Sequence, residues 1–153
     1  MKQRDRVTMT ADETSAFLAG SRKLQLATLN PDGAPHLVTM FYFMRDGQIA
    51  FWTYRASQKA RNLSRDPRVT CLVEAGEEYF ELRGVQVVGS VRRIEDPARV
   101  LEIGRRLAAV TTGMPAEALE EYTTKTARKR VGFVVEPRRI ISWDFRKLAR
   151  PGG

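Results

Sequence analysis

The chain has 153 residues, 26 Lys and Arg against 18 Asp and Glu, a formal net charge of +8, one cysteine and one histidine. That length makes one domain that buries roughly 70% of its unfolded surface, so no disulfide framework is needed and Cys71 alone supplies none. The lone His36 excludes multi-histidine and Cys/His zinc sites, and nothing beside it reads as the nucleophile elbow of a Ser-His-Asp triad.

No apolar run reaches the length of about 18 residues that a membrane span requires. The opening MKQRDRVTMTADE is charged and leads into no apolar stretch, so it does not read as a signal peptide. These features predict a soluble, cytoplasmic, single domain over residues 1–153, with only Pro151-Gly152-Gly153 as a frayed tail.

In chain order, Thr10-Ala11-Asp12-Glu13 has capping-box spacing, and a short helix follows through Phe17 and Leu18 to Gly20. Residues 24–29 read as a strand. Asn30-Pro31-Asp32-Gly33 is a turn signal, because proline fixes φ while Asp and Gly suit a tight bend. Residues 35–44, apolar at both parities, predict one strand buried on both faces. Arg45-Asp46-Gly47 then turns the chain into residues 48–54, so that the three strands form an antiparallel meander. Ser57 caps a short helix through about Ser64, ended by Asp66-Pro67.

Residues 69–75 and 79–94 are further strands, the second interrupted by Gly84 and Gly89, where strand glycines signal bulges or bends. Asp96-Pro97 opens a helix with Val100, Leu101, Ile103, Leu107 and Ala108 on its apolar face. A second helix spans about 116–130, and strands 131–136 and 139–145 flank Pro137-Arg138. Seven strands with four mostly short helices predict a mainly-β, small antiparallel barrel with helical crossovers.

The charge surplus is local. Residues 55–68 carry Arg55, Lys59, Arg61, Arg65 and Arg68 against Asp66, and residues 128–150 carry eight basic residues against Glu136 and Asp144. Between them, residues 74–121 are net acidic. A basic stretch is either a solvated face or the footprint of a polyanionic partner. A nucleic-acid reader would need an RNP-like aromatic surface or a recognition helix, and neither pattern is present.

Ser57 and Lys59 begin a helix directly after a strand. A helix start presents unpaired N–H groups and partial positive charge, which suits an anion, whereas a cation there costs up to about 1 kcal/mol. Arg61 adds to the same field. Two readings stay open: a simple serine cap with a solvated lysine, or a phosphate site. Tyr42, Tyr54, Tyr79 and His36 are the available proton donors, although the tyrosines read more simply as half-buried strand residues. Cys71, mid-strand among apolar neighbours, reads as a small buried hydrophobe.

The order LATLNPDGAPHLV (residues 26–38), a strand ending in FWT, then SQKARNLSRDPRV (residues 57–69) and PRRIISWDFRKL (residues 137–148) resembles the pyridoxamine-phosphate-oxidase-like split β-barrels. It is most similar to their flavin/deazaflavin oxidoreductase branch, many of which bind coenzyme F-420. The resemblance implies a homodimer with cofactor sites at the subunit interface. It assigns the phosphate-binding lysine to Lys59 and the lining of the phosphate and ribityl chain to Thr53, Ser57 and Gln58. It also sets the backbone of Val38, Thr39 and Met40 along the ring, and Trp143 where the partner subunit's C-terminal strand approaches the cofactor.

One departure is informative. True pyridoxamine phosphate oxidases supply basic side chains to the flavin phosphate from the second strand, whereas residues 35–44 offer only His36. The two basic stretches suit the phosphodiester and polyglutamate tail of F-420 better than FMN. The implied function is F-420-dependent hydride transfer to a small organic substrate. The alternatives are an FMN-binding oxidoreductase or a non-catalytic F-420-binding protein.

Overall fold

A computed structural model describes residues 1–149; the expected frayed tail at 151–153 lies outside the described residues. A short helix α1 (Gln3–Val7), unforeseen in the sequence pattern, precedes α2 (Ala11–Ala19). The capping box of α2 forms as its spacing predicts: the Glu13 amide donates to Thr10 Oγ1, and the Thr10 amide donates to the Glu13 carboxylate, both at 3.1 Å.

Strand β1 (Lys23–Leu29) buries Leu24, Leu26 and Thr28 on one face. The Asn30–Gly33 turn, with Gly33 at φ +84°, then folds β2 (Pro35–Phe41) onto it in continuous antiparallel register. Here the sequence expectation fails twice. The run 35–44 is not one strand, because it breaks at Tyr42 into β2 and β3 (Phe43–Arg45). Nor is β2 buried on both faces, since Leu37 and Phe41 are 66% and 47% exposed. A run apolar at both parities marks an edge strand with an uncovered outer face as readily as a core strand.

Tyr42 is fully buried; its amide donates to the Arg22 carbonyl at 2.9 Å and its hydroxyl to the Leu18 carbonyl at 2.6 Å. Asp46 and Gly47, both at positive φ, make the tight hairpin from β3 to β4 (Gln48–Tyr54). The expected meander is therefore replaced, because β4 pairs with β3 and β7 instead of β2. With β5 (Arg68–Ala75), β6 (Arg83–Ile94) and β7 (Arg130–Asp144), the seven-stranded order is β2-β1-β5-β6-β7-β4-β3. The two edge strands are consecutive in the chain, separated by Tyr42 alone. The sheet thus curls until its edges meet there, as a split barrel requires.

Two expected C-terminal strands are in fact the single β7. The register passes from Val88↔Arg139 to Gly89↔Pro137, leaving Arg138 as an extra residue, a bulge that bends the strand without ending it. Gly89 is required there, since a Cβ would collide with the Glu136 carbonyl. Residues 79–81, expected to start a strand, instead form a 3₁₀ turn before β6.

Helix α3 (Gln58–Arg65) follows β4, and α4 (Pro97–Thr112) and α5 (Ala116–Ala127) form a helical crossover between β6 and β7. Among the described residues five α-helices stand where about four were expected, and α5 ends before Arg130, which begins β7. One core fills the barrel, with Leu26, Phe51, Cys71, Val85 and Phe133 among its members. A second, around Val100, Ile103, Leu107 and Val134, seats α4 on the sheet. Each such side chain contributes about 1.5–3 kcal/mol on burial. Among the described residues no helix is long and apolar enough to cross a membrane.

Candidate functional site

The end of β4 and the start of α3 are joined by a tight turn in which the Ser57 amide donates to the Tyr54 carbonyl at 3.0 Å. Ser57 then caps α3, its Oγ accepting from the Ala60 amide at 3.2 Å and lying 3.2 Å from Oγ1 of the buried Thr53. Thr53 and Ser57 are thus brought together, and Lys59 follows in the first turn. Gln58 points elsewhere. Its Nε2 donates to Asn62 Oδ1 at 2.9 Å, and the buried Asn62 donates to Thr28 Oγ1 at 3.1 Å and Asn30 Oδ1 at 3.0 Å. This chain of amides fastens α3 to the β1–β2 turn.

Lys59 is half-buried, and among the described residues no carboxylate lies within 4 Å of it. Burial first, and then the nearby Arg130 guanidinium, pull Lys59 below its ordinary pKa. Arg130 opens β7 beside Tyr54, and its guanidinium carbon sits 3.9 Å from the Tyr54 ring centroid and 4.8 Å from that of Trp52. Stacking on two aromatics holds a cation in place. Yet the Arg130 Nε is buried without a hydrogen-bond partner.

Two cations close enough to disfavour each other, one with an orphaned donor, lie beside a helix start with no acid to balance them. The arrangement is costly for the free chain and favourable once a multivalent oxyanion fills it. Sequence reasoning missed Arg130; its signal was the run Arg128-Lys129-Arg130 arriving opposite Trp52 and Tyr54.

Arg130 also walls a cavity of about 360 Å³ between the sheet and the helical crossover, shared with Thr39, Met40, Trp52, Leu107 and Tyr122. Trp52 reaches this wall because α4 carries Gly104 at the contact, where a Cβ would collide with the indole. Val38 and Thr39 face opposite sides of β2. Val38 packs on the barrel core, whereas Thr39 is exposed and donates to Gln25 Oε1 at 2.9 Å. A ligand along the outer face of β2 would therefore meet its backbone and the Thr39 side chain, since Met40 packs with Val38 on the core.

Trp143 lies near the far end of β7, against Gly84 and in a separate hollow with Arg4 and Val7, so one chain does not bring it to Lys59. Of the remaining candidates, Tyr42 is committed to the Leu18 carbonyl and pushed by burial to about 12. Tyr79 packs on Phe80 and Phe145. Tyr54 lies under Arg130, and His36 keeps a buried Nδ1 without a partner. Cys71 is buried and free, its thiol pushed by burial to about 12. No group of three His, Cys, Asp or Glu that could hold a metal occurs among the described residues.

A seven-stranded antiparallel sheet whose two edges join at Tyr42 defines a split β-barrel. The sequence matches the family described as pyridoxamine 5′-phosphate oxidase over residues 10–144, and the chain belongs to that family. Among solved structures, a conserved hypothetical protein from Mycobacterium tuberculosis is 40% identical, with a TM-score of 0.90, covering 100% of this chain and 96% of that one. An F-420 reductase is 26% identical, with a TM-score of 0.60, over 82% of this chain and 94% of that one. A heme storage protein from Vibrio cholerae shares the fold at 16% identity and a TM-score of 0.66, over 86% of this chain and 94% of that one. No curated protein matches the sequence.

Proposed function

We propose that the chain is an oxidoreductase that uses coenzyme F-420 to transfer a hydride to or from a small organic substrate. The observation that carries this reading is the half-buried Lys59 beside Arg130 with no carboxylate within reach. The donor set fits a phosphodiester: an ammonium, a guanidinium with an unmet donor, and the capping hydroxyl of Ser57. Thr53 steadies that hydroxyl from beneath. Arg55, Arg61, Arg128 and Lys129 form a basic rim on which an acidic tail would be drawn in. The backbone of Val38, Thr39 and Met40 orients the ring, and the adjoining cavity shelters it from water.

When bound, the deazaflavin supplies the hydride chemistry; the protein supplies placement and electrostatics. A second copy of the chain covers the exposed outer face of β2, where Leu37 and Phe41 stand free, and lends its Trp143 to the site. The F-420 reductase among the similar structures supports the cofactor, and the absence of Arg and Lys from β2 weighs against FMN.

Side-by-side fluorescence-quench titration with F-420 and FMN, and absorbance titration with heme, tests the assignment. F-420 binding tighter than about 100 μM, equivalent to about 5.5 kcal/mol, and tighter than FMN, is expected. Preferential binding of FMN or heme overturns it.

A further inference from the structure

At the opposite end of β7 from Arg130, the chain's two termini enclose a second cavity, of about 250 Å³. It is lined by Met9, Glu13, Ala16 and Phe17 from the N-terminal segment, Arg83 from β6, and Asp144 and Arg146 from the C-terminal end. Four charged groups line it, and their pairing is uneven. Asp144 is buried and accepts from Arg146 Nε at 2.9 Å and Nη2 at 2.8 Å. Glu13 accepts from Lys147 Nζ at 2.8 Å and from the Thr10 amide at 3.1 Å.

Arg83 is left over. Among the described residues its guanidinium makes no ion pair within 4 Å and no hydrogen bond, and its Nε is buried and unpartnered. It is held over the Phe17 ring, 5.2 Å from the centroid.

The geometry points to Arg83 as the anchor of a binding site for a small organic monocarboxylate, separate from the Lys59–Arg130 corner. A guanidinium fork matches a carboxylate in bidentate fashion; the four lining charges sum to zero, and one cation is in surplus once Lys147, which holds Glu13, is counted with them. Phe17, Met9 and Ala16 offer an apolar floor for the acid's body. The volume falls below that of a typical drug-sized or cofactor pocket, so it admits an acid of benzoate size and excludes a nucleotide.

Because the walls come from both ends of the chain, occupancy fastens them together. The Met9 amide already donates to Ser142 Oγ at 3.1 Å, and Lys147 Nζ to the Thr8 carbonyl at 3.0 Å. A bound acid therefore raises thermal stability by mass action.

The test is titration of the full chain with sodium benzoate, sodium acetate and sodium chloride, followed by melting temperature and by two-dimensional NMR. Benzoate is expected to raise the melting temperature saturably, acetate less, and chloride not at all. Arg83→Lys and Arg83→Gln should weaken benzoate binding tenfold or more. In the unmodified chain the Arg83 Nε–H and Phe17 ring resonances should shift together, a readout that holds even if a variant folds poorly. Absence of a benzoate response, equal affinity in Arg83→Gln, or shifts confined to Lys59 and Arg130 would overturn the proposal.

Discussion

Lys59 and Arg130 illustrate how two residues far apart in sequence acquire meaning only together. Each alone has a bland explanation: a lysine that snorkels from a helix start, and an arginine stacked on aromatics. Side by side, half-buried and without an acid, they depress the lysine's proton affinity, burial acting first and the arginine second. The sign of the pH dependence follows. The unfolded chain holds the Lys59 proton more tightly than the folded one, so this residue lowers stability below its folded pKa. That deficit is recovered as pH rises from the folded pKa toward the ordinary value of 10.5.

A bound phosphate reverses the bias and restores the proton. Anion affinity should therefore be flat at low pH and fall as pH rises through the lowered Lys59 pKa, a fall absent from Lys59→Ala. That variant should also lose about 1.5–3 kcal/mol of binding, the range for hydrogen bonds to charged groups. Isothermal titration across the pH range checks both; an unchanged profile in Lys59→Ala would remove the lysine from the site.

At the scale of elements, the corner that presents these cations depends on α3 being tied to β1. Asn62 makes that tie, fully buried and bonded to Gln58, Thr28 and Asn30. Asn62→Ala leaves the buried Thr28 hydroxyl and the Asn30 side chain short of a donor. It should cost about 1–3 kcal/mol for each group stranded. Urea denaturation measures this, and an unmoved midpoint would contradict it.

Local signals explain which elements were legible. The Thr10 and Asp96 caps, the Asn30–Gly33 turn and the Ser57 helix start are short-range chemistry, and each forms as its residues dictate. Pairing partners were not legible. Nothing in residues 35–44 distinguishes a continuous strand from one that breaks at Tyr42, because the break is enforced by Tyr42 bonding to Leu18 and Arg22. Likewise Pro137 reads as a strand terminator, yet a bulge opposite Gly89 absorbs it within β7. Arg130 escaped notice for the same reason. Its neighbours Trp52 and Tyr54 are supplied by the β4–β7 pairing, which is long-range.

At the scale of the molecule, the surplus of +8 resolves into two basic stretches, and the barrel brings the start of the second, residues 128–130, to the corner formed by the first, while Arg146 and Lys147 lie at the far end of β7. The strand pairing sets Tyr54 opposite Arg130, so residues 55–61 and 128–130 converge although residues 62–127 separate them in the chain. The exposed outer face of β2 belongs to the same scale. Under the proposed reading a second copy covers Leu37 and Phe41, and light scattering should report twice the 17.3 kDa chain mass at micromolar concentration. A particle of single-chain mass would remove the partner's Trp143 from the account.

Under the proposed reading the corner recognises the phosphodiester of the cofactor. This recognition is tested most directly by comparing the binding of F-420 with that of its phosphate-free deazaflavin headgroup, in the unmodified chain and in Lys59→Ala/Arg130→Ala. Loss of the phosphate should weaken binding to the unmodified chain at least tenfold, about 1.4 kcal/mol, and the double variant should no longer distinguish the two molecules. Equal affinity for both in the unmodified chain would contradict it.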